Sequence, residues 1–331
     1  MARQHPVLSR RAAVLTGAAF LSAPMLARAQ SRQLERLVIQ TPPSGPGILM
    51  AHARATGAFD GMAAKIDLPV WMGFDQMLAG FVSGDVPVTV MPTQGAASLY
   101  NRGFGLRMIS TLTDGHCGLI AHRIADCQMD DLRGKRIVLS GINGFTGNMM
   151  RLGLRHAGIA LNEVDLIAAA THMEAGQVLL AGRADVGLIA EPAATGVLMR
   201  AQADGQPLER GVQMRHVLAR ITGLHAVLPQ ACLAIRAEYA AEHPWLAAAL
   251  NDALSRAATT LNADQAAAAV NAGAFLDRAP GLLEKAIPFA NIAVRPASEA
   301  RPGIEALYRA LLGVDPGIVG GKLPDEGLYA L

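Results

Sequence analysis

The chain has 331 residues, of which 51% are hydrophobic and 17% charged, with a formal net charge of +2. That length and apolar content suit two lobes with real cores. Twenty-five of the 29 basic residues are Arg, among very many Ala, which is a coding bias and not a nucleic-acid signature.

Residues 1–29 read as an export signal. Ser9-Arg10-Arg11 precedes an apolar stretch from Ala12 to Leu26, and Ala27-Arg28-Ala29 has the form of an A-x-A cleavage site. The paired arginines resemble a twin-arginine signal, although Ala13 and Val14 stand where Phe and Leu are usual, which leaves ordinary secretion open. Cleavage after Ala29 removes Arg3, Arg10, Arg11 and Arg28 and no acidic residue, leaving 302 residues and moving the charge from +2 to −2. With the basicity gone, a nucleic-acid partner is excluded. No later run reaches membrane-spanning length, so the expectation is a soluble, exported chain. Cys117, Cys127 and Cys232 have no metal-ligand spacing; Cys117 and Cys127 could pair in an oxidising compartment, or all three are small buried residues.

Leu37–Gln40 is the first expected strand. It runs into Thr41-Pro42-Pro43-Ser44-Gly45-Pro46-Gly47, a loop that continues neither strand nor helix, and a helix follows through Ala55. Ile66–Trp71 is expected as a strand, Phe74–Val82 as a helix ending near Gly84, and Val86–Met91 as a strand. Pro92-Thr93-Gln94-Gly95 then opens a helix through Tyr100, and Leu106–Leu112 is a fourth strand. This alternation implies βαβ units with parallel pairing.

The pattern then repeats. Gly118–His122 is expected as a strand, and Ile137–Leu139 as a buried one. The latter feeds Ser140-Gly141-Ile142-Asn143-Gly144-Phe145-Thr146-Gly147 and a helix carrying Met149, Met150, Leu152 and Leu154. Such a loop turns free backbone N–H groups and a positive helix end toward one point, a site for a small anion or a carbonyl. Val164–Ala168 is a strand before a helix from about Glu174 to Ala181; Val186–Ile189 is a strand running into Glu191-Pro192 at the start of another helix. Val212–Leu218 and Ala231–Ile235 read as further strands. From Ala237 to Leu311 the chain is mostly helical and alanine-rich, with a loose Gly/Pro tail.

Several of these segments resemble a known family. Asp131-Leu132-Arg133-Gly134-Lys135 resembles the opening of the second lobe of type II periplasmic binding proteins. Leu179-Leu180-Ala181-Gly182-Arg183-Ala184-Asp185 followed by Glu191-Pro192, together with Met77–Asp85 and Ala241-Glu242-His243-Pro244-Trp245, is similar to further signatures there. The nearest subgroup is the nitrate, sulfonate, taurine and thiamine-precursor set, NMT1/THI5-like, of ABC-transporter solute receptors. The likeness covers essentially the whole exported chain. Two departures stand out. Pro87 falls where the family usually has an aspartate, and the cysteine cluster of the pyrimidine-synthesising enzymes on this scaffold is absent.

The resemblance implies a two-lobed α/β fold, each lobe a mostly parallel sheet flanked by helices, with hinge crossings and C-terminal helices. Lobe I would be residues 30–115 plus about 226–331, and lobe II about 116–225. It further implies a periplasmic, monomeric receptor that captures a small organic ligand (a sulfonate, a nitrate-like anion or a nitrogen heterocycle) in the interlobe cleft by hinge closure, docking on the permease and ATPase subunits of an inner-membrane importer, with no cofactor. Loops at the carboxyl ends of the strands would line the cleft. The candidate ligand-binding residues are Thr41, Ser44, Gly45, Trp71, Thr93, Gln94, His116, Asn143, Phe145, Thr146, Glu191 and His225. Asn143 or Thr146 holds a ligand oxygen or caps its helix. Phe145 and Trp71 stack on a planar ligand or pack a core. Glu191 pairs with an amine or amidine, or simply complements a helix dipole. His116 and His225 enter the cleft or are ordinary hydrogen-bonded histidines.

No catalytic or metal residues are assigned. Serine-elbow, paired-carboxylate, Walker and dinucleotide motifs are lacking. The alternatives are an enzyme on the same scaffold using Glu191 with His116, and a ligand sensor for a membrane kinase.

Overall fold

The computed structural model describes residues 33–330, so the expected export segment and its cleavage site lie outside the described residues. In chain order the first unit comprises β1 (Leu34–Gln40), α1 (Gly45–Ala55), β2 (Ala63–Asp67), α2 (Phe74–Ser83), β3 (Val88–Pro92), α3 (Thr93–Asn101) and β4 (Leu106–Thr113). The second comprises β5 (Cys117–His122), β6 (Arg136–Ser140), α4 (Phe145–His156), β7 (Asp165–Ala169), α5 (His172–Leu180), β8 (Val186–Ala190), α6 (Ala193–Ala203), β9 (Leu208–Gln213) and α7 (Met214–Thr222). The chain then returns through β10 (Ala231–Arg236) to α8 (Ala237–Glu242), α9 (Leu246–Ala263), α10 (Gln265–Leu276), α11 (Pro280–Ala290), β11 (Ile292–Pro296) and α12 (Ala297–Leu312).

Two sheets result, ordered β11-β4-β10-β3-β1-β2 and β7-β6-β8-β5-β9. Within the βαβ units the pairing is parallel, as expected: β1 with β2 and β3, and β6 with β7 and β8. The strands that enter each sheet by a crossing, β10 and β5, pair antiparallel with both neighbours, so each sheet is mixed. The crossings, Asp114–His116 and residues 223–230, run side by side. Leu228 N–H donates to the Asp114 carbonyl (3.1 Å), and His116 N–H to Oε1 of Gln230 (3.2 Å). Arg295 pairs with the Asp114 carboxylate at the same place (2.8 Å from Nη2).

The continuous apolar runs follow from sheets covered on both faces. Successive strand side chains point to opposite faces, and in β6 Ile137 and Leu139 enter one core while Val138 enters another. A helix reads differently. In α9, Leu246, Leu250, Leu254 and Leu261 fall on one stripe and are fully buried against the first sheet. Each contributes on the order of 2 kcal/mol through burial. The last helix packs against both units: Ile304, Leu307, Tyr308 and Leu311 share one core with Met108 of the first and Met149 and Val217 of the second. Tyr308 O–H donates to the Thr93 carbonyl (2.6 Å) at the start of α3.

Three expectations are corrected. Residues 212–218 do not form a strand: β9 ends at Gln213, and Met214, Val217 and Leu218, spaced i, i+3, i+4, form the buried face of α7, closed by Gly223 in the left-handed region (φ 70°). The second strand is Ala63–Asp67; beyond it only a bridge from Thr41 to Val70 continues the pairing toward Trp71. β11 was not expected inside the helical C-terminal third. The three cysteines are free and buried. Among the described residues no helix is long and apolar enough to cross a membrane, and no His, Cys, Asp and Glu cluster could hold a metal.

Candidate functional site

The carboxyl ends of both sets of parallel strands face one cavity of about 1100 Å³. Its wall includes the first residues of α2, α3, α4, α5 and α6, among them Phe74, Gln94, Phe145, His172 and Ala193. Five helix N-termini thus turn their positive ends toward one space.

The β6–α4 loop shows how the sequence makes such an end. Gly141 sits in the left-handed region (φ 65°), and its carbonyl accepts from the N–H groups of Gly144 (2.8 Å) and Gly147 (3.2 Å). A Cβ on Gly147 would drive into the Ile142 carbonyl oxygen, which Arg151 Nη1 also holds (2.7 Å). The β1–α1 loop repeats the device: a Cβ on Gly47 would drive into the Pro42 carbonyl oxygen. In both loops the third residue of the helix is glycine because the backbone five residues earlier folds over it.

The anion cradle is narrower than the loop suggests. Of the four N–H groups from Gly144 to Gly147, Gly144 and Gly147 donate within the loop, and those of Phe145 and Thr146 have no acceptor among the described residues. Neither Asn143 nor Thr146 caps α4: the N-cap is Gly144, with no side-chain hydrogen bond.

Of the residues singled out from sequence, Ser44, Trp71, Gln94, His116, Asn143, Phe145, Thr146 and Glu191 border the cavity. The indole of Trp71 is fixed by Nε1–H donating to the Val90 carbonyl (3.1 Å). Gln94 is 5% exposed, and its Oε1 has no partner.

Four lie elsewhere. Thr41 is fully buried behind the wall. Gly45 is at a junction, its N–H donating to the Glu191 carbonyl (3.1 Å), and a Cβ there would crowd His116 and Ala290 at 3.3 Å. Thr93 is fully buried with Oγ1 donating to the Pro229 carbonyl (2.6 Å). His225 is exposed, away from the wall.

Glu191 also departs from expectation. Its carboxylate is not free for an amine, because Oε1 accepts from Arg210 Nη1 (2.6 Å) and Oε2 from Thr195 N–H (3.1 Å) and Oγ1 (2.8 Å). Arg210 in turn lies 3.6 Å over the Phe289 ring and donates to Thr195 Oγ1 (2.6 Å). This knot ties β9, α6 and the end of α11 together.

His116 is no partner for Glu191 either. Its ring lies between Thr113 Oγ1 (3.3 Å) and Gln230 Nε2 (3.4 Å), and burial, reinforced by His172, pushes it down to about 3. The proposed Glu191–His116 acid–base pair is therefore not assembled. His172 is also pushed down by burial, to about 4, and its Nδ1 accepts from Ala190 N–H (3.4 Å), leaving Nε2 as the donor of a neutral ring.

The sequence reading missed His172 and Met173, although the loop at the end of β7 obeys the same carboxyl-end rule as the others. It also missed Arg102 and Arg278, which reach the wall from the end of α3 and the α10–α11 turn, positions that carry no local signal. Among the described residues neither guanidinium makes an ion pair. With Glu191 neutralised, the wall presents positive charge and N–H groups but no free carboxylate.

The structure is similar to solved structures along nearly its whole length. A crystal structure described as an ABC transporter from Parabacteroides distasonis shares 19% identity at a TM-score of 0.74, covering 90% of this chain and 99% of that one. The periplasmic aliphatic sulphonate binding protein of Escherichia coli shares 13% identity at 0.66, covering 84% and 88%. The periplasmic nitrate-binding protein of Synechocystis PCC 6803 shares 10% at 0.65, covering 89% and 87%. At these identities the likeness establishes the two-lobed periplasmic-binding-protein fold. No curated protein matches the sequence. The family model described as NMT1/THI5 like matches residues 75–268, more than half of the chain, and the chain belongs to the NMT1/THI5-like family.

Proposed function

We propose that this protein is the exported solute-binding receptor of an ABC importer, capturing a small organic ligand between its lobes. One observation carries the reading: a cavity of about 1100 Å³ lies between the carboxyl ends of two sheets, walled by helix N-termini from both. A ligand there contacts both lobes at once, so it favours whichever arrangement brings them together, the hinge closure of periplasmic binding proteins. The lobes are taken as residues 30–115 with about 226–331, and about 116–225. The partners are the small molecule and the membrane permease with its ATPase, and the location is the periplasm after cleavage behind Ala29. The relatives described as sulphonate- and nitrate-binding support an anionic ligand class. So do the N–H groups of Phe145 and Thr146, which have no acceptor among the described residues, and Arg102 and Arg278, which make no ion pair among them.

The test is a thermal-shift screen of protein recovered from the periplasmic fraction, against sulfonates, nitrate, pyrimidines, amines and aromatic carboxylates. A ligand that binds only the folded state raises the melting temperature with concentration. The reading expects a concentration-dependent hit among the anions and an N-terminus at Gln30 by mass spectrometry. Silence across the panel, with no ligand co-purified, would overturn it.

A further inference from the structure

Seven large hydrophobic side chains are exposed among the described residues, and three of them border the same cavity. Met72 (64% exposed) and Phe74 (43%) stand at the start of α2 in the first unit. Met173 (52%) stands at the start of α5 in the second. Val82, Leu161, Leu224 and Val270, the remaining four, form no part of the wall. Apolar surface gathered at one opening from two lobes marks a contact surface, not scattered surface residues. Methionine suits such a surface because its unbranched, polarisable side chain adapts to irregular shapes. Phe74 is seated with its ring against Gly95 at the start of α3, where a Cβ would touch it at 3.2 Å. Trp71, held by its bond to Val90, extends the apolar face inward.

The polar complement is sparse and one-sided. Arg102 and Arg278 border the cavity without ion-pair partners among the described residues, and the one carboxylate on the wall is neutralised by Arg210. Gln94, 5% exposed, borders the same space, but its carboxamide oxygen is enclosed and without a partner among the described residues. A nitrate or a one-carbon sulfonate would engage the N–H groups and leave Met72, Phe74 and Met173 with nothing. At about 1100 Å³ the cavity stands at the upper end of the range that holds drug-sized ligands.

We propose that the cavity takes an amphipathic organic acid: a planar or branched apolar body held by Met72, Phe74, Met173 and Trp71, with one carboxylate or sulfonate group. The proposal rests on the receptor reading and narrows its ligand class. The body supplies most of the affinity and the anionic head the orientation.

The experiment is calorimetric titration of the purified protein with methanesulfonate, benzenesulfonate and naphthalene-2-sulfonate. 2-Naphthoate serves as the carboxylate arm and naphthalene-2-sulfonamide as the uncharged arm. Affinity should rise about tenfold with each added ring, and the sulfonamide should bind at least about tenfold more weakly than the sulfonate. The tighter of the two naphthyl acids names the head group. Combining Met72→Ser, Phe74→Ser and Met173→Ser should shrink the affinity ratio between naphthalene-2-sulfonate and methanesulfonate from about a hundredfold to under about tenfold. The Met72→Ser/Met173→Ser pair, both sites being exposed, supplies the same readout should the triple variant misfold. Methanesulfonate binding as tightly as the naphthyl acids would overturn the inference and leave the receptor reading standing. Equal binding of the sulfonamide would overturn the acid assignment. Failure of every probe to bind would overturn the inference, and the receptor reading falls with it only if the wider thermal-shift panel is silent too.

Discussion

Arg210→Ala isolates the knot behind the cavity. The substitution removes the 2.6 Å bond to Glu191 Oε1, the 2.6 Å bond to Thr195 Oγ1 and the stacking on Phe289. It leaves a carboxylate that is 2% exposed, held only by the N–H and O–H of Thr195. Stripping the partner from a buried ion pair costs about 3–5 kcal/mol. The Arg210 side chain is 28% exposed, so water reaches the gap it leaves, and the expected loss is about 2–4 kcal/mol. For a chain of this size that corresponds to a fall of about 3–6 °C in melting temperature. Adding Glu191→Gln should restore about half, because a neutral amide does not suffer the charge penalty, while the stacking on Phe289, worth about 0.5–1 kcal/mol, stays lost. Thermal and urea denaturation of the two variants against wild type provide the measurement. A single variant within about 0.5 kcal/mol of wild type, or a double variant no more stable than the single, would refute the reasoning.

Further outcomes follow from other parts of the fold. Gly147→Ala places a Cβ on the Ile142 carbonyl oxygen and must open the β6–α4 loop; it should cost about 1–3 kcal/mol by denaturation and abolish anion-dependent thermal stabilisation, and retention of that stabilisation would contradict the cradle. His116 and His172 are held neutral with values near 3 and 4, below their ordinary 6.5, so the stability they contribute is full above pH 6.5 and is lost as pH falls toward those values. At pH 5 the penalty is about 2 kcal/mol per buried histidine; urea midpoints at pH 7.5 and 5 should show it, His116→Gln should weaken it, and a flat profile would count against it. Tyr308→Phe leaves the Thr93 carbonyl without its donor and should cost about 1–2 kcal/mol by urea denaturation; an unchanged midpoint would show that the bond contributes nothing.

Much of the fold was legible because its signals are local. Ile137–Leu139 between polar flanks reads as a buried strand, and Gly84 after an apolar helix reads as a left-handed stop, confirmed at φ 94°. What misled was local ambiguity. Val212, Met214, Val217 and Leu218 fit a short strand by composition, and only the i, i+3, i+4 spacing within 214–218, buried by packing on the second unit, makes a helix. β11 is short and lies at an edge, and its pairing with β4 depends on the C-terminal helices bringing it there.

The site divides the same way. Trp71, Gln94 and Phe145 border the cavity, as their places after expected strands suggest. Glu191 borders the cavity, but its ion pair was not legible, since nothing near it in sequence announces Arg210, nineteen residues on and across the sheet. Thr41 and Thr93 sit in the right loops but turn into the protein, a choice of side-chain direction that sequence position does not encode. Arg102 and Arg278 come from helix ends that only the tertiary fold brings to the wall.

The central claim is that ligand seats in the cavity beside Trp71, and the chain offers a direct reporter because it has only one other tryptophan, Trp245. Fluorescence titration of Trp245→Phe with whichever anion stabilises the protein should give a saturable, one-site change in Trp71 emission. Its midpoint should match the dissociation constant from calorimetry. Thermal stabilisation with no change in Trp71 emission would put the ligand somewhere else and contradict the account.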